Sequence, residues 1–206
     1  MNRYKRIQDF EERLKSEYQM EFADEQGLAA ELFDLYIEAT EITSQQWQLK
    51  PERRATSALI NRTFNDLHAG WKLIMEGMLG QGMTLLRDTI ECAHYIKLFE
   101  VDEEFRDAWL KGKDFFLRDV RKIMKKKGIS PPPQDQFYKT FSQTYTHPSK
   151  KGTVAHVVDW YPTGQEHRIL YLYGAVRDTA RTTFLAFAAL SFTWVTIYFL
   201  CRKCSR

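Results

Sequence analysis

Cysteine, proline and glycine are all scarce in this chain, and each scarcity removes a class of fold. Three cysteines, Cys92, Cys201 and Cys204, cannot staple a disulfide scaffold. An odd count points instead to free thiols in a reducing compartment. Six prolines and ten glycines in 206 residues are too few for the many turns of a β-sandwich. Charge of one sign is lacking too: a formal net charge of +3 does not by itself announce a nucleic-acid binder. Long apolar runs are also rare. The exception is Thr182 to Cys201, which holds no charged residue and is followed by Arg202, Lys203 and Arg206. That pattern suits either a membrane span (182–201) or a helix covered on all sides. Thr182, Thr183, Ser191 and Thr193 dilute it, which favours the covered helix. The opening MNRYKRIQDFEERLK has no apolar core of a secretory leader, so a cytoplasmic location is expected.

What is present is helical periodicity. Hydrophobic residues make up 44% and charged residues 28% of the chain, the balance of one globular domain over 1–206. Tyr4, Ile7, Phe10, Leu14 and Tyr18 recur at helical spacing, and Leu28, Leu32, Leu35, Tyr36, Ala39 and Ile42 form a second stripe. These two helices, within 1–48, read as accessory to the remainder of the domain. Pro51 suits the first turn of a third helix, whose face runs Leu59, Ile60, Leu67, Trp71, Ile74 and Met78. Gly80 and Gly82 read as a turn. A fourth helix carries Met83, Leu86, Ile90 and Ala93, and a short acidic one starts near Asp102. Phe116, Val120 and Ile123 continue to a helix end at Lys127-Gly128. Beyond Pro131-Pro132-Pro133, Phe137, Tyr138, Phe141 and Tyr145 mark a seventh helix that should stop near His147, before Pro148. Val154 to Val158 offers at most one short strand, and a long last helix is expected from about Gln165 to Leu200. The expected fold is all-α: an up-down bundle of about seven or eight helices with a long C-terminal helix, forming a homodimer through its aromatic-rich helices.

Several patterns could carry chemistry. Arg87, Glu91 and His94 lie at i, i+4 and i+7, one face of a helix, where Arg87 and Glu91 can pair. Glu91 and His94 also make a Glu-x-x-His, the spacing of di-iron bundles, but no second copy exists, so no metal is expected. Cys201 and Cys204 form a C-x-x-C without a partner pair, too little for zinc. Arg118, Arg121, Lys122, Lys125 and Lys126 cluster near Lys127 as a candidate phosphate-backbone contact, with Phe137 and Tyr138 as candidate stacking surfaces. The same basic run also suits a solvated helix end complementing the dipole. No Gly-rich phosphate loop, nucleophile elbow or zinc-protease His pair occurs.

The run LLRDTIECAHYIKLF, the AWLKGK after it and the later YKTFSQTYTHPS together resemble an HEPN-like helical family of uncharacterised bacterial proteins, over about residues 59–147. The resemblance implies an Arg and a Glu one turn apart on an early core helix, here Arg87 and Glu91. It also implies a Ser/His pair ending a later helix, here Ser142 and His147. In the wider HEPN superfamily many members are metal-independent ribonucleases of phage defence, toxin–antitoxin pairs or RNA processing, needing no cofactor. Others have lost catalysis and act as binding or dimerisation modules. Two Arg–His spacings match the superfamily's catalytic signature, Arg87-Asp88 with His94 and Arg62 with His68. In a ribonuclease, Arg87 would hold the scissile phosphate through its planar fork, Glu91 would orient Arg87, and His94 or His147 would move the proton. In the alternative, Arg87 and Glu91 are an ion pair of the scaffold, His94 is a core histidine, and the module binds a partner protein or a nucleotide.

Overall fold

Leucine, isoleucine and alanine at three- and four-residue intervals give each long segment one apolar face, and these faces build the core. The computed structural model describes residues 3–49, 53–76, 78–132, 135–142, 159–160 and 169–170. Among these, the helices are α1 (Arg3–Glu21), α2 (Ala23–Leu49), α3 (Arg54–Met75), α4 (Leu79–Phe99), α5 (Glu103–Leu110), α6 (Leu117–Lys126) and α7 (Asp135–Phe141). The all-α reading holds. Pro51, His147, the 154–158 strand candidate and the apolar stretch 182–201 lie outside the described residues, as does most of the expected last helix. The described part of that expectation is corrected: Ile169–Leu170 pair antiparallel with Asp159–Trp160 instead of continuing a helix from Gln165. Ile169 stands opposite Trp160, a β-branched–aromatic cross-strand pair that favours extended pairing. No helix among the described residues is long and apolar enough to cross a membrane.

α3 and α4 are the central pair. Their contacts run antiparallel: Arg62 meets Asp88 near one end, and Gly70 meets Gly82 near the other. The turn between them is short and contains Met78, whose N–H donates to the Leu73 carbonyl. Gly80 and Gly82 are therefore not the turn; both lie inside α4. Gly82 is there for proximity. A Cβ on it would stand 2.8 Å from the Gly70 carbonyl oxygen and 2.6 Å from Ile74 Cγ1.

The predicted face of α4 is buried in full, as are Leu59, Ile60, Leu67 and Ile74 of α3. The stripe read on α2 splits, however. Ala29, Leu32 and Tyr36 face the core, whereas Leu28 and Leu35 are exposed. The α1–α2 junction has no loop: helical hydrogen bonds cross Phe22, and Gln26 Nε2 donates to the Gln19 carbonyl.

An aromatic cluster fixes the second half of the bundle. Phe99, Phe105 and Trp109 pack ring to ring, and the Phe105 and Phe115 ring centroids lie 4.3 Å apart. The Tyr95 hydroxyl donates to the Phe115 carbonyl. These rings are thus engaged within the chain. Asp102 caps α5 by accepting from the Phe105 N–H at 3.0 Å. Gly128, with φ +70°, ends α6: the Ile129 N–H donates to the Met124 carbonyl and the Gly128 N–H to the Lys125 carbonyl.

Candidate functional site

The face of α4 that the sequence singles out looks onto α6 and α7, and the three helices enclose one polar network. Arg87 Nη2 donates to Glu91 Oε1 at 2.6 Å and to the Tyr138 hydroxyl at 2.8 Å. Tyr138 in turn donates to the same Glu91 oxygen at 3.0 Å, closing a triangle between α4 and α7. Arg87 and Arg121 both stand against the Tyr138 ring, with guanidinium carbons 5.1 and 4.6 Å from its centroid. Arg121 also holds Asp135 at the start of α7, donating through both Nε and Nη2 to Oδ1.

His94 ends the network. Its side chain is 0% exposed. Nδ1 lies 2.8 Å from the Ile90 carbonyl oxygen, so the proton of a neutral ring sits on Nδ1. Nε2 stands 3.0 Å from Asp135 Oδ1 but out of line for a hydrogen bond. Burial is the largest influence on the imidazole and lowers its pKa. Ile90 and Asp135 favour the proton, and Arg121 opposes it. The net direction is down, so His94 is held neutral near pH 7.

Around Arg87 the balance differs. Burial works against the guanidinium charge, but Tyr138 and Glu91 outweigh it and hold Arg87 more firmly protonated than usual. Burial raises the Tyr138 phenol, and Glu91 adds to that rise against the opposing Arg87. Tyr138 is therefore a neutral phenol that bridges an acid and a base.

Of the residues singled out by sequence, Arg87, Glu91 and His94 do share one face, joined by Tyr138, Arg121 and Asp135 into a continuous chain of contacts. His147 lies outside the described residues, and Ser142 closes the described end of α7. Arg121 is turned toward Asp135 and Tyr138, away from the other cations of its cluster. Arg118 and Lys122 are exposed and flank Asp119, at 3.7 and 3.2 Å. Lys127 reaches back to Asp102 at 2.9 Å. Lys125 and Lys126 are exposed and make no ion pair among the described residues. The second Arg–His match does not form a site. Arg62 pairs with Asp88 at 2.7 Å, while His68 stacks on Phe64.

Sequence reasoning missed two members, Asp135 and the hydroxyl role of Tyr138. Nothing local announces that the two residues would meet α4. Arg62, Asp66 and Asp88 form a further cluster across α3 and α4, beside the buried thiol of Cys92. Burial, helped by Asp88, pushes that thiol up to about 12, so it is a thiol rather than a nucleophile at neutral pH. No group of three or more His, Cys, Asp or Glu side chains among the described residues could hold a metal ion. No protein-family model matches the chain, and neither the curated proteins nor the solved structures give a match.

Proposed function

We propose that the chain is a non-catalytic helical association module of the HEPN-like kind, with the Arg87–Glu91–Tyr138 triangle serving as scaffold. The observation that carries this reading is the state of the would-be catalytic pair. His94 is fully buried and holds the Ile90 carbonyl. Arg87 is 27% exposed, its Nη2 is engaged by both Glu91 and Tyr138, and its Nε is buried without a hydrogen-bond partner. A proton-transfer residue must come within hydrogen-bond reach of substrate, which a fully buried imidazole set between the Ile90 carbonyl and Asp135 does not do. A phosphate at Arg87 Nη2 would also have to displace Glu91 and Tyr138.

The alternative, a metal-independent ribonuclease using Arg87 with His94 or His147, is tested directly. Purified protein is incubated with varied RNAs in EDTA, alongside Arg87→Ala, His94→Ala and His147→Ala. The association-module reading expects no cleavage by the wild type, and lower melting temperatures for Arg87→Ala and His94→Ala. Cleavage that persists in EDTA and disappears in Arg87→Ala and one histidine variant, both still folded, overturns it.

A further inference from the structure

The near-neutral total hides a strong segregation of charge. The helix α2, Ala23–Leu49, contains Asp24, Glu25, Glu31, Asp34, Glu38 and Glu41 and no Lys or Arg at all. Residues 111–127 hold eight Lys or Arg against Asp114 and Asp119 only. No ion pair joins the two regions among the described residues.

Each region presents its charge on a helical stripe. On α2, Asp24, Leu28, Glu31, Leu35 and Glu38 follow one another at i, i+4, i+7, i+11 and i+14, and all five are exposed. This stripe lies beside the face, Ala29, Leu32 and Tyr36, that packs inward. It places two leucines between three carboxylates. On α6, Arg118, Lys122 and Lys125 lie at i, i+4 and i+7 with Lys126 adjacent, all exposed, while Leu117, Val120 and Met124 face the core. Phe116, at the head of α6, is 76% exposed. The spacings match: Glu31 and Glu38 are seven residues apart, and so are Arg118 and Lys125, about 10 Å along each helix.

We infer that the chain pairs with a second copy of itself by seating the acidic, leucine-bearing stripe of α2 on the basic face of α6 in the partner. The inference deepens the reading of the chain as an association module and rests on it. A two-fold axis makes the contact twice, α2 on α6 and α6 on α2, so both charge surpluses are neutralised in one closed dimer. Exposed ion pairs contribute little affinity each; they set register and salt dependence. Leu28, Leu35 and Phe116 supply the apolar area. A nucleic acid would answer the α6 charge alone and leave the leucine stripe of α2 bare.

The test is sedimentation of the full chain over a range of concentration and salt, with two charge-reversed variants. Glu31→Lys/Glu38→Lys makes both stripes basic, and Arg118→Glu/Lys122→Glu/Lys125→Glu makes both acidic. All five positions are exposed, and circular dichroism checks that the variants fold. The wild type is expected to dimerise, and more weakly as salt rises. Each variant alone is expected to dimerise at least about tenfold more weakly. An equimolar mixture of the two restores the dimer, because every contact then pairs opposite charges. A monomeric wild type overturns the inference, and one that binds RNA through α6 assigns that face to nucleic acid. A dimer indifferent to both reversals also overturns it, while the association-module reading stands; only RNA cleavage defeats that reading.

Discussion

Gly82 shows how much one missing methyl decides. It lies near the turn end of the α3–α4 contact, where a Cβ would meet the Gly70 carbonyl at 2.8 Å and Ile74 at 2.6 Å. Neither neighbour is the free end of a flexible chain, so Gly82→Ala forces the two helices apart. Overpacking of this kind costs about 1–3 kcal/mol. Gly27, on α2, has nothing within 4 Å of its would-be Cβ. There Ala improves helix propensity, and Gly27→Ala is expected to stabilise by about 0.5–1 kcal/mol. Thermal unfolding of the two variants should therefore move in opposite directions; equal shifts would refute the close-approach account. Sequence alone reads Gly80 and Gly82 as a turn, because the reason for Gly82 lies in another helix twelve residues back at Gly70. Tyr138 is opaque for the same reason. Its aromatic character is plain in the sequence, but its hydroxyl gains a role only when α7 is laid against α4. Tyr138→Phe keeps the ring between Arg87 and Arg121 and removes both hydroxyl bonds. It should cost about 1 kcal/mol in urea unfolding, with no change of fold.

At the scale of elements, periodicity is legible and the choice between neighbouring stripes is not. The face of α4 and most of that of α3 are read correctly because each has one dominant apolar stripe; Met78, read on α3, falls in the turn before α4. On α2, Leu28, Leu32, Leu35 and Tyr36 share one spacing, and no local signal says that Leu32 and Tyr36 go in while Leu28 and Leu35 stay out. Ends are clearer, since caps have chemical signatures. Asp102 is the first example: its carboxylate receives the Phe105 N–H and also holds Lys127, beyond the end of α6, at 2.9 Å. Burial raises its pKa, but the Phe105 bond and Lys127 outweigh that and hold the carboxyl below its usual value. One residue thus starts α5 and ties it to the far end of α6. Asp102→Ala should lower stability by about 1–2 kcal/mol. Asp102→Asn keeps the cap, loses the ion pair, and should cost less than half as much. Denaturant midpoints for the two variants decide whether the cap or the tie to Lys127 dominates.

Across the whole molecule, two titratable groups tilt stability in opposite directions with pH. His94, faced by Asp135, Arg121 and the Ile90 carbonyl, has its pKa lowered chiefly by burial. The unfolded chain is then the better proton binder, so this contribution is complete above the ordinary value of 6.5 and is lost as pH falls below it. Asp66, faced by Asp88, Arg62 and Cys92, is pushed up to about 7, first by burial and then by the Asp88 carboxyl against Arg62. Here the folded chain keeps a proton that the unfolded chain releases, so stability falls as pH rises from about 4 to about 7. Between about pH 4 and 6.5 the two slopes oppose each other, and wild-type stability should change little from these groups. Asp66→Asn removes the falling slope and leaves that of His94, so its stability should rise with pH across this window. His94→Gln leaves the slope of Asp66, so its stability should fall with pH until about 7 and then level. Asp66 is partly solvated, so its end-to-end difference is about 1 kcal/mol. Urea unfolding of wild type and both variants, at pH values spaced from about 4.5 to 7.5, measures these slopes. Variants that tilt the same way would show that the two groups do not act as an opposed pair across the α3–α4–α7 core.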